Sequence, residues 1–457
     1  MALISPAFAG FVLAALAVYY ALPGRGQQWW LLACSYLFCL TWGWTSALVL
    51  VGVTVVDFAI AVRLRPSERG ARWLLRVGVT CNILALVAFR HAGPWSAMTG
   101  SAGPWAAIGL SFYALQGISY LIDVQRGDLP AERDPVAFAL YMAYFPKLLA
   151  GPIERARTFL PDLACARDVD DAVIARSVTL IVIGLVRKIV IADTLAALIP
   201  PSAFTTPALP SALAVCIVTY AFALYNDFAG YTSLVRGVSG LFGIELSPNF
   251  VTPFFARNFT EFWSRWHITL SHWLRDYIYL PLSRALLRRN LSRYNVANIV
   301  LPPLVSMLVC GAWHGPAWNM LVWGGLHGTY LAGERLLRLG RAAPPPQQRT
   351  AGRQAVGMAV VFTLAVFAAI PFRMDLGVSL AFLRGLLTWR GWGAPDPRVV
   401  LLLAVGLSLD WTQYRAGDEL VFLRWSRLAR ASLLAAAVAA LLLVPYDGRT
   451  PFVYQGF

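Results

Sequence analysis

Residues 310–318, Cys-Gly-Ala-Trp-His-Gly-Pro-Ala-Trp, lie between two long apolar runs. Each run holds nearly the ~20 apolar residues that a helix needs to cross the hydrocarbon core of a bilayer. Gly311 and Gly315 permit close backbone approach or a bend on either side of His314, and Pro316 has no backbone N–H. The pattern therefore predicts a membrane-embedded helical hairpin with a histidine at its turn.

Apolar runs recur along the whole chain of 457 residues, which is 58% hydrophobic and only 13% charged. Soluble domains carry roughly 25% charged residues, so this composition indicates an integral membrane protein. The runs cover residues 2–22, 28–44, 46–62, 72–90, 104–122, 172–192, 211–229, 296–312, 316–334, 354–372, 397–411 and 431–446. A shorter run, 136–150, is interrupted by Pro146 and Lys147 and predicts a re-entrant segment covered by protein. We predict an all-α polytopic membrane protein with about 11–13 transmembrane helices plus re-entrant or interfacial helices.

Arginine-rich loops set the predicted orientation of these helices. Cytoplasmic loops of membrane proteins carry an excess of Lys and Arg. If the N-terminus lies outside the cell, the predicted crossings leave all of the strongly basic loops in the cytoplasm. Both termini are then extracytoplasmic. Because the basic residues cluster between apolar runs, the net charge of +15 indicates membrane orientation and not nucleic-acid binding. The four basic loops are 63–76, 281–295, 335–353 and 415–430.

Residues 225–282 form a stretch too polar to span a bilayer and too aromatic for an ordinary loop. Polar groups at membrane depth are energetically costly and are usually functional. We therefore expect the functional site to consist of this stretch and of the segments that pack against it. Within this stretch, residues 260–280 carry aromatic side chains at helical spacing and predict one amphipathic helix with Thr260 as its N-cap.

The five histidines are the candidate acid–base groups. The position of His91 at the end of a run favours an interfacial structural role. His272 and Asp276 are four residues apart on one helix face, so a structural pairing of the two is expected. Local sequence leaves His267 open between a structural and a functional role. His314 and His327 are each flanked by Gly and Trp, which favours a function over a satisfied structural group.

Seven short motifs occur in a fixed order from about residue 140 to the C-terminus. They are Tyr144–Ile153, Asn226–Tyr231, Pro248–Phe250, Phe262–Ser271, Arg275–Leu282, Gly311–Gly315 and Pro451–Tyr454. Each motif alone is weak, but the ordered series is specific. On these motifs the chain resembles the membrane-bound O-acyltransferase family, and within it the membrane subunits of alginate O-acetyltransferases.

The resemblance implies that His314 is the catalytic histidine and His267 the second polar position of the site. It implies a central tunnel, entered by the acyl donor from the cytoplasm and by the acceptor from outside. The expected enzyme is an O-acyltransferase of the bacterial inner membrane that passes an acyl group, expected to be acetyl, to a hydroxyl of an exopolysaccharide, as in alginate biosynthesis. The residues expected to line the tunnel are Trp263, Trp266, Ser271, Asp227, Asp276, Trp313, Trp318 and His327.

The resemblance further implies one domain over residues 1–457, with N-terminal helices in 1–125, a catalytic core in 136–335 and C-terminal helices in 354–457. Its expected partners are membrane lipids, the acyl donor, the polysaccharide and extracytoplasmic partner acetyltransferase proteins. A thioester such as acetyl-CoA is already activated, and the chain has no Gly-rich phosphate loop. We therefore expect the thioester as co-substrate and no bound cofactor.

The chemistry requires a base for the acceptor hydroxyl and hydrogen-bond donors for the oxyanion. Histidine titrates near neutrality and contributes typically 10²–10⁴-fold as a base, a role we assign to His314. His267 or the indole N–H of Trp313 or Trp266 can stabilise the oxyanion. Asp227 and Asp276 are candidates for holding a tautomer or a tunnel wall.

Two other classes of protein share some of these features. A transporter or flippase of a glycan or lipid intermediate also has many spans, but it more often shows inverted repeats and paired intramembrane carboxylates. A metal-binding membrane protein is the other alternative interpretation. The six cysteines form no CxxC pair and lie mostly in apolar runs, so we expect packed free thiols and no metal site.

Overall fold

In a computed structural model, the chain forms two compact units of helices. The structure describes residues 1–65, 69–90, 107–165, 167, 170–204, 210–289, 292, 295–339, 350–387, 395–444 and 452. Within these ranges there are helices and loops but no β-strand. Outside the described residues lie His91 and the twelve residues after it, most of the 335–353 loop, and the closing motif apart from Phe452.

The first unit comprises residues 1–185, 231–248 and 446–457. Local sequence starts its first helix, because Pro6 occupies the first turn and the Ser5 side chain accepts a hydrogen bond from the Phe8 N–H. The helices of this unit are α1 (Pro6–Ala21), α2 (Gly24–Leu40), α3 (Trp44–Ala61), α4 (Arg69–Arg90), α5 (Leu110–Arg126), α6 (Pro135–Ala143), α7 (Phe145–Leu148), α8 (Ala156–Ala164) and α9 (Asp171–Leu185).

The segment predicted to be re-entrant consists of the two short helices α6 and α7. Lys147 is fully buried there, and its ammonium group donates a 2.6 Å hydrogen bond to the Tyr141 carbonyl. The Ala150 N–H donates to the Tyr231 hydroxyl at 2.8 Å. Protein therefore covers this irregular backbone and supplies its hydrogen bonds, as the sequence predicts.

The second unit comprises residues 186–230 and 249–445 and contains every predicted site residue. It begins with a π-helix, Val186–Asp193, and a second π-helix covers Arg275–Tyr279. Its α-helices are α10 (Thr194–Ala197), α11 (Pro210–Leu241, which continues into the first unit), α12 (Phe259–Trp263), α13 (Ile268–Leu274), α14 (Leu280–Arg288), α15 (Val296–His314), α16 (Trp318–Leu337), α17 (Ala351–Arg373), α18 (Leu376–Leu387), α19 (Pro397–Ala416) and α20 (Arg427–Leu443).

Within the described residues, each of the twelve predicted apolar runs overlaps a helix, which confirms the all-α polytopic membrane fold. In the described part of the chain, five helices are long and apolar enough to cross a bilayer by length and composition. They are Trp44–Ala61, Arg72–Phe89, Leu213–Leu241, Val296–His314 and Ala351–Arg373. The helix α18 was not predicted.

The apolar run predicted to end at residue 229 is wrong at its C-terminal boundary, because α11 continues to Leu241. Polar residues near this boundary lie inside the helix. Asn226 and Asp227 are buried, and each contacts a cation on the first π-helix. Pairing removes much of the cost of these groups, so the helix does not stop where the sequence becomes polar.

Candidate active site

Two helices, α15 and α16, form the predicted hairpin and approach each other closely. A Cβ on Gly311 would lie 2.2 Å from the Met320 carbonyl oxygen, and one on Gly324 would lie 2.2 Å from that of Met307. Small residues allow such close backbone approach between membrane helices. The glycines thus bring the backbones together, and α15 ends at His314, as the sequence predicts for the histidine of the turn.

The imidazole of His314 lies among aromatic rings. Its ring centroid is 4.9 Å from that of Trp313, 5.0 Å from Trp323 and 5.3 Å from Phe372. The residue is 4% exposed. Trp323 belongs to the Trp-Gly-Gly-Leu-His-Gly pattern of α16, whereas Phe372 lies in an ordinary apolar run and nothing in the sequence marks it.

The continuous amphipathic helix predicted over 260–280 is wrong. The segment contains α12 and α13, separated at residues 264–267, and then the second π-helix. Asn258, not Thr260, is the N-cap of α12, because its side chain accepts the Glu261 N–H at 2.8 Å. The aromatic spacing is compatible with a helix, but hydrogen bonds to another part of the chain stop it.

Those hydrogen bonds come from Asn249. Its carbonyl oxygen accepts from the Ile268 N–H at 3.0 Å, and its side-chain oxygen accepts from the Thr269 N–H at 3.1 Å and the Thr269 hydroxyl at 2.7 Å. His267, immediately before α13, has φ 42° and ψ 53°. The left-handed region is uncommon for a residue other than glycine, and such conformations cluster at functional sites.

His267 is 1% exposed, and its ring lies 4.8 Å from Phe228 and 6.2 Å from Trp313. Burial lowers the pKa of His267 to about 3, so its imidazole is neutral near pH 7. Trp313 therefore contacts both predicted catalytic histidines. The structure brings together the two residues that the sequence places 47 positions apart.

A third histidine, His327, lies one helical turn after Trp323 on α16, with its ring 5.0 Å from that tryptophan. Trp263 contacts both of these rings, at 5.1 Å from His327 and 6.1 Å from Trp323. The structure therefore joins His327 and Trp263 to the cluster that contains His314.

The other predicted residues divide between the surroundings of this cluster and more distant positions. Trp266 stacks on Phe262 at 5.6 Å, and the Ser271 hydroxyl donates to the Trp266 carbonyl oxygen at 3.1 Å. Asp276 accepts a 2.9 Å hydrogen bond from its exposed neighbour Arg275. Trp318 is 74% exposed at the start of α16. Its place in a tunnel wall stays a prediction.

Sequence reasoning missed a buried network of charges beside the cluster. Arg187 on the first π-helix donates to Asn226 at 2.9 Å and forms an ion pair with Asp410 on α19. The next residue, Lys188, contacts Asp227 at 2.7 Å. A charged pair inside the apolar run 172–192 was the available signal, since intramembrane charges mark functional or structural polar contacts.

This network reaches the histidine cluster through α11. The Tyr225 hydroxyl donates to Asp410 at 3.1 Å, and the Tyr225 ring lies 6.0 Å from Trp266. One turn later, Phe228 contacts His267 edge to face. Asp227 forms an ion pair with Lys188 that anchors α11 next to the site, and its role in holding a tautomer or a tunnel wall stays a prediction.

The site contains imidazoles, indoles and an aromatic enclosure rather than a ligand set for a metal. Over the described ranges, no group of three or more His, Cys, Asp or Glu side chains is arranged to hold a metal ion. The six cysteines are free thiols. The imidazoles and indoles of the cluster can transfer protons and donate hydrogen bonds among buried aromatic rings.

A model of the membrane-bound O-acyltransferase family matches residues 129–376, a range that contains all three histidines of the cluster. The chain belongs to the membrane-bound O-acyltransferase family, and it is a membrane O-acyltransferase.

Three relatives show which kinds of transferase this chain is similar to. The chain is 35% identical to "Probable alginate O-acetylase AlgI" of Azotobacter vinelandii, over 94% of this chain and 80% of the relative. It is 28% identical to the peptidoglycan O-acetyltransferase of Helicobacter pylori, over 67% of this chain and 64% of the relative. It is also 28% identical to the teichoic acid D-alanyltransferase of Streptococcus thermophilus, over 58% of this chain and 65% of the relative. The resemblance inferred from the ordered motifs is confirmed.

Proposed function

We propose that this enzyme transfers an acetyl group from a cytoplasmic thioester, acetyl-CoA, to a hydroxyl of an extracytoplasmic polysaccharide in the bacterial inner membrane. Two kinds of relative are named O-acetylases or O-acetyltransferases, of alginate and of peptidoglycan. The predicted topology, with basic loops inside, provides a cytoplasmic side for the donor. The acceptor hydroxyl belongs to the polysaccharide itself or to an extracytoplasmic partner acetyltransferase protein that passes the acetyl group to the polymer.

The observation that carries this proposal is the shared contact of His314 and His267 with Trp313. Two buried imidazoles and an indole N–H next to one reacting centre provide a base and hydrogen-bond donors. Both histidines are nearly excluded from solvent. In such a site electrostatic stabilisation is stronger than in water.

In the proposed reaction His314 is the general base. Its imidazole takes the proton of the acceptor hydroxyl as the oxygen attacks the thioester carbonyl carbon. The tetrahedral oxyanion accepts hydrogen bonds from His267 or from the indole N–H of Trp313. The C–S bond then breaks, the imidazolium returns the proton to the departing thiolate, and the products are an O-acetyl ester and a free thiol.

The test is His314→Ala in a strain whose surface polysaccharide acetylation depends on this gene. We expect O-acetylation of the polysaccharide, measured by mass analysis, to fall by about 10²-fold or more, because a general base contributes typically 10²–10⁴-fold. His267→Ala should reduce acetylation by about 10²–10³-fold if it stabilises the oxyanion.

The matched control is His272→Ala, which removes an exposed imidazole from the same polar stretch. This variant should acetylate normally. Membrane-inserted protein is quantified in every strain by immunoblot. Normal acetylation in the His314→Ala strain contradicts the assignment of the base, and unchanged acetylation after deletion of the gene contradicts the proposed function.

A further inference from the structure

The four residues 249–252 run beside the backbone that contains His267. The Asn249 carbonyl oxygen accepts a hydrogen bond from the N–H of the residue that follows His267, at 3.0 Å. The Val251 N–H donates in the opposite direction, to the Arg265 carbonyl oxygen, also at 3.0 Å. One bond lies on each side of His267 along the chain, so the 249–252 segment holds the backbone of this histidine at both ends.

Both of the paired segments contain a residue in the left-handed backbone region. Thr252 has φ 44° and ψ 59°, and His267 has φ 42° and ψ 53°. In the part of the chain that the structure describes, these are the two residues other than glycine with positive φ. Such a conformation is a genuine outlier for a β-branched residue, and it persists only where surrounding contacts impose it. The Arg265 guanidinium donates to the Thr252 hydroxyl at 3.2 Å, which joins the two strained positions.

Asn249 also caps the helix α13, which begins directly after His267. The His267 side chain makes no capping hydrogen bond to this helix. Instead, the side-chain oxygen of Asn249 accepts from the Thr269 N–H at 3.1 Å and from the Thr269 hydroxyl at 2.7 Å. Asn249 is 1% exposed, and its Nδ2 has no hydrogen-bond partner among the described residues. Its described hydrogen bonds therefore use only acceptor oxygens, which are what the N-terminus of a helix requires.

The same segment packs against the aromatic rings around the His267 imidazole. That imidazole lies edge to face with Phe228, with ring centroids 4.8 Å apart. Phe250 contacts Phe228 and Trp266, in each case with centroids 5.1 Å apart. The 249–252 segment thus fixes the backbone of His267 and also packs on a ring that the imidazole contacts.

We propose that Asn249 is a positioning residue for acyl transfer, which acts through His267 and does not itself touch the substrate. This inference rests on the proposed function, in which His267 stabilises the oxyanion. Without the acceptor oxygen of the Asn249 side chain, the backbone of His267 is free to leave the left-handed region, and its imidazole moves with it. A displacement of about 1 Å at a reacting centre can cost about 10²-fold in rate.

The experiment measures acetyl transfer in permeable membrane vesicles from a strain in which each variant replaces the native gene. Radiolabelled acetyl-CoA is supplied, and label in the strain's own polysaccharide is counted. Asn249→Leu has a similar volume and no acceptor in its side chain. Its kcat should fall by about 10–10²-fold with KM for acetyl-CoA unchanged, because only an interaction made in the transition state is lost.

The conservative variant is Asn249→Asp. It keeps the acceptor oxygen for both hydrogen bonds to Thr269. Asp caps helices about as well as Asn, so kcat should recover to within about threefold of the wild type. If Asn249→Leu does not fold, Thr269→Val and Thr269→Ser repeat the comparison from the other partner. Val removes the hydroxyl donor and Ser keeps it, so only the Val variant should lose kcat.

A double-mutant cycle separates positioning from a general structural role. His267→Ala is measured alone and combined with Asn249→Leu. If Asn249 acts through His267, the combined variant should be within about threefold of His267→Ala, because the group that Asn249 positions is already absent. If Asn249 only supports the fold, the two losses in kcat should multiply.

Asn295→Leu is the matched control. Asn295 is an exposed N-cap whose side chain accepts the Ala297 N–H of α15 at 2.9 Å. The same substitution there removes a helix cap without touching the 249–252 segment, so it should lower the thermal midpoint and leave kcat unchanged. Thermal unfolding in detergent and immunoblots give the amount of folded enzyme, to which every kcat refers.

Four outcomes overturn the inference: multiplying losses in the cycle, a raised KM with unchanged kcat in Asn249→Leu, an equal loss of kcat in Asn249→Asp and Asn249→Leu, or wild-type kcat in His267→Ala. In each of these the wild type still transfers acetyl groups, so the proposed function stands. Failure of the wild-type vesicles to transfer label from acetyl-CoA is a different result, and it contradicts the proposed function itself.

Discussion

The two predicted catalytic histidines are held by opposite kinds of structure. His314 ends a regular helix of the hairpin α15–α16, in which glycines bring two backbones together. His267 stands between two short helices, in a left-handed backbone conformation next to the hydrogen bonds of Asn249. One histidine is positioned by apolar packing and the other by specific polar contacts.

The difference explains why the two positions are unequally visible in the sequence. The hairpin can be recognised in the sequence from its two apolar runs and from the Gly, Pro and His residues at the turn. The break before His267 depends on Asn249, which lies 18 residues earlier and bonds to the backbone after it. Three pairs of substitutions test the contrast between packing and polar positioning, ordered by the size of the expected effect.

The largest effect is expected from Gly324→Leu in the hairpin. Even a Cβ at this position would collide with the Met307 carbonyl oxygen at 2.2 Å, and overpacking typically costs 1–3 kcal/mol or more. We expect loss of folded protein, measured by size-exclusion chromatography in detergent, and loss of acetyl transfer.

The matched control is Gly333→Leu on the same helix. A Cβ on Gly333 meets no atom within 4 Å, so this variant should fold and remain active. Normal recovery of the Gly324→Leu protein would show that close approach of the backbones is not what positions His314.

An intermediate effect is expected where the backbone is strained, at His267. Asn tolerates the left-handed region better than most residues, whereas a β-branched residue does not. His267→Val should therefore be less stable than His267→Asn by about 1–3 kcal/mol, seen as a lower thermal midpoint. The Asn variant retains an N–H donor and should keep more acetyl transfer. Equal midpoints for the two variants would refute the role of the backbone conformation.

The smallest effect distinguishes the observed N-cap of α12 from the one that the sequence suggested. Asn258→Ala removes the hydrogen bond to the Glu261 N–H and should lower the free energy of unfolding by about 1 kcal/mol. Thr260→Ala removes an exposed contact with Glu334 and should stay within about 0.5 kcal/mol. The two thermal midpoints, measured side by side, decide between these residues, and a larger loss for Thr260→Ala would reverse the assignment.

The sequence predicted the membrane helices well because their signal is local. The run containing Val296–His314 is apolar from end to end, and a helix satisfies its own backbone hydrogen bonds in a bilayer. The boundary of α11 was wrong because Arg236, beyond the predicted end, is polar in sequence but buried in the helix, where it donates a hydrogen bond to the Leu246 carbonyl oxygen. The single helix over 260–280 was wrong because Asn249 competes for its backbone N–H groups.

The site was predictable in its parts and not in its arrangement. The sequence alone identifies His314, His267 and His327 as candidates. In the structure, Trp313 contacts His314 and His267, and Trp323 contacts His314 and His327. Phe372, which also contacts His314, carries no local signal, since a phenylalanine in an apolar run is ordinary.

The sequence by itself determined that this is a polytopic helical membrane protein of an acyltransferase family with a histidine at the turn of a hairpin, because apolar length and short motifs are properties of neighbouring residues. Only the tertiary structure decided which side chains meet: Arg187 with Asp410, His267 with Trp313, and His327 with Trp263. Buried polar and aromatic groups find partners by packing across the chain, and no local pattern records where those partners lie.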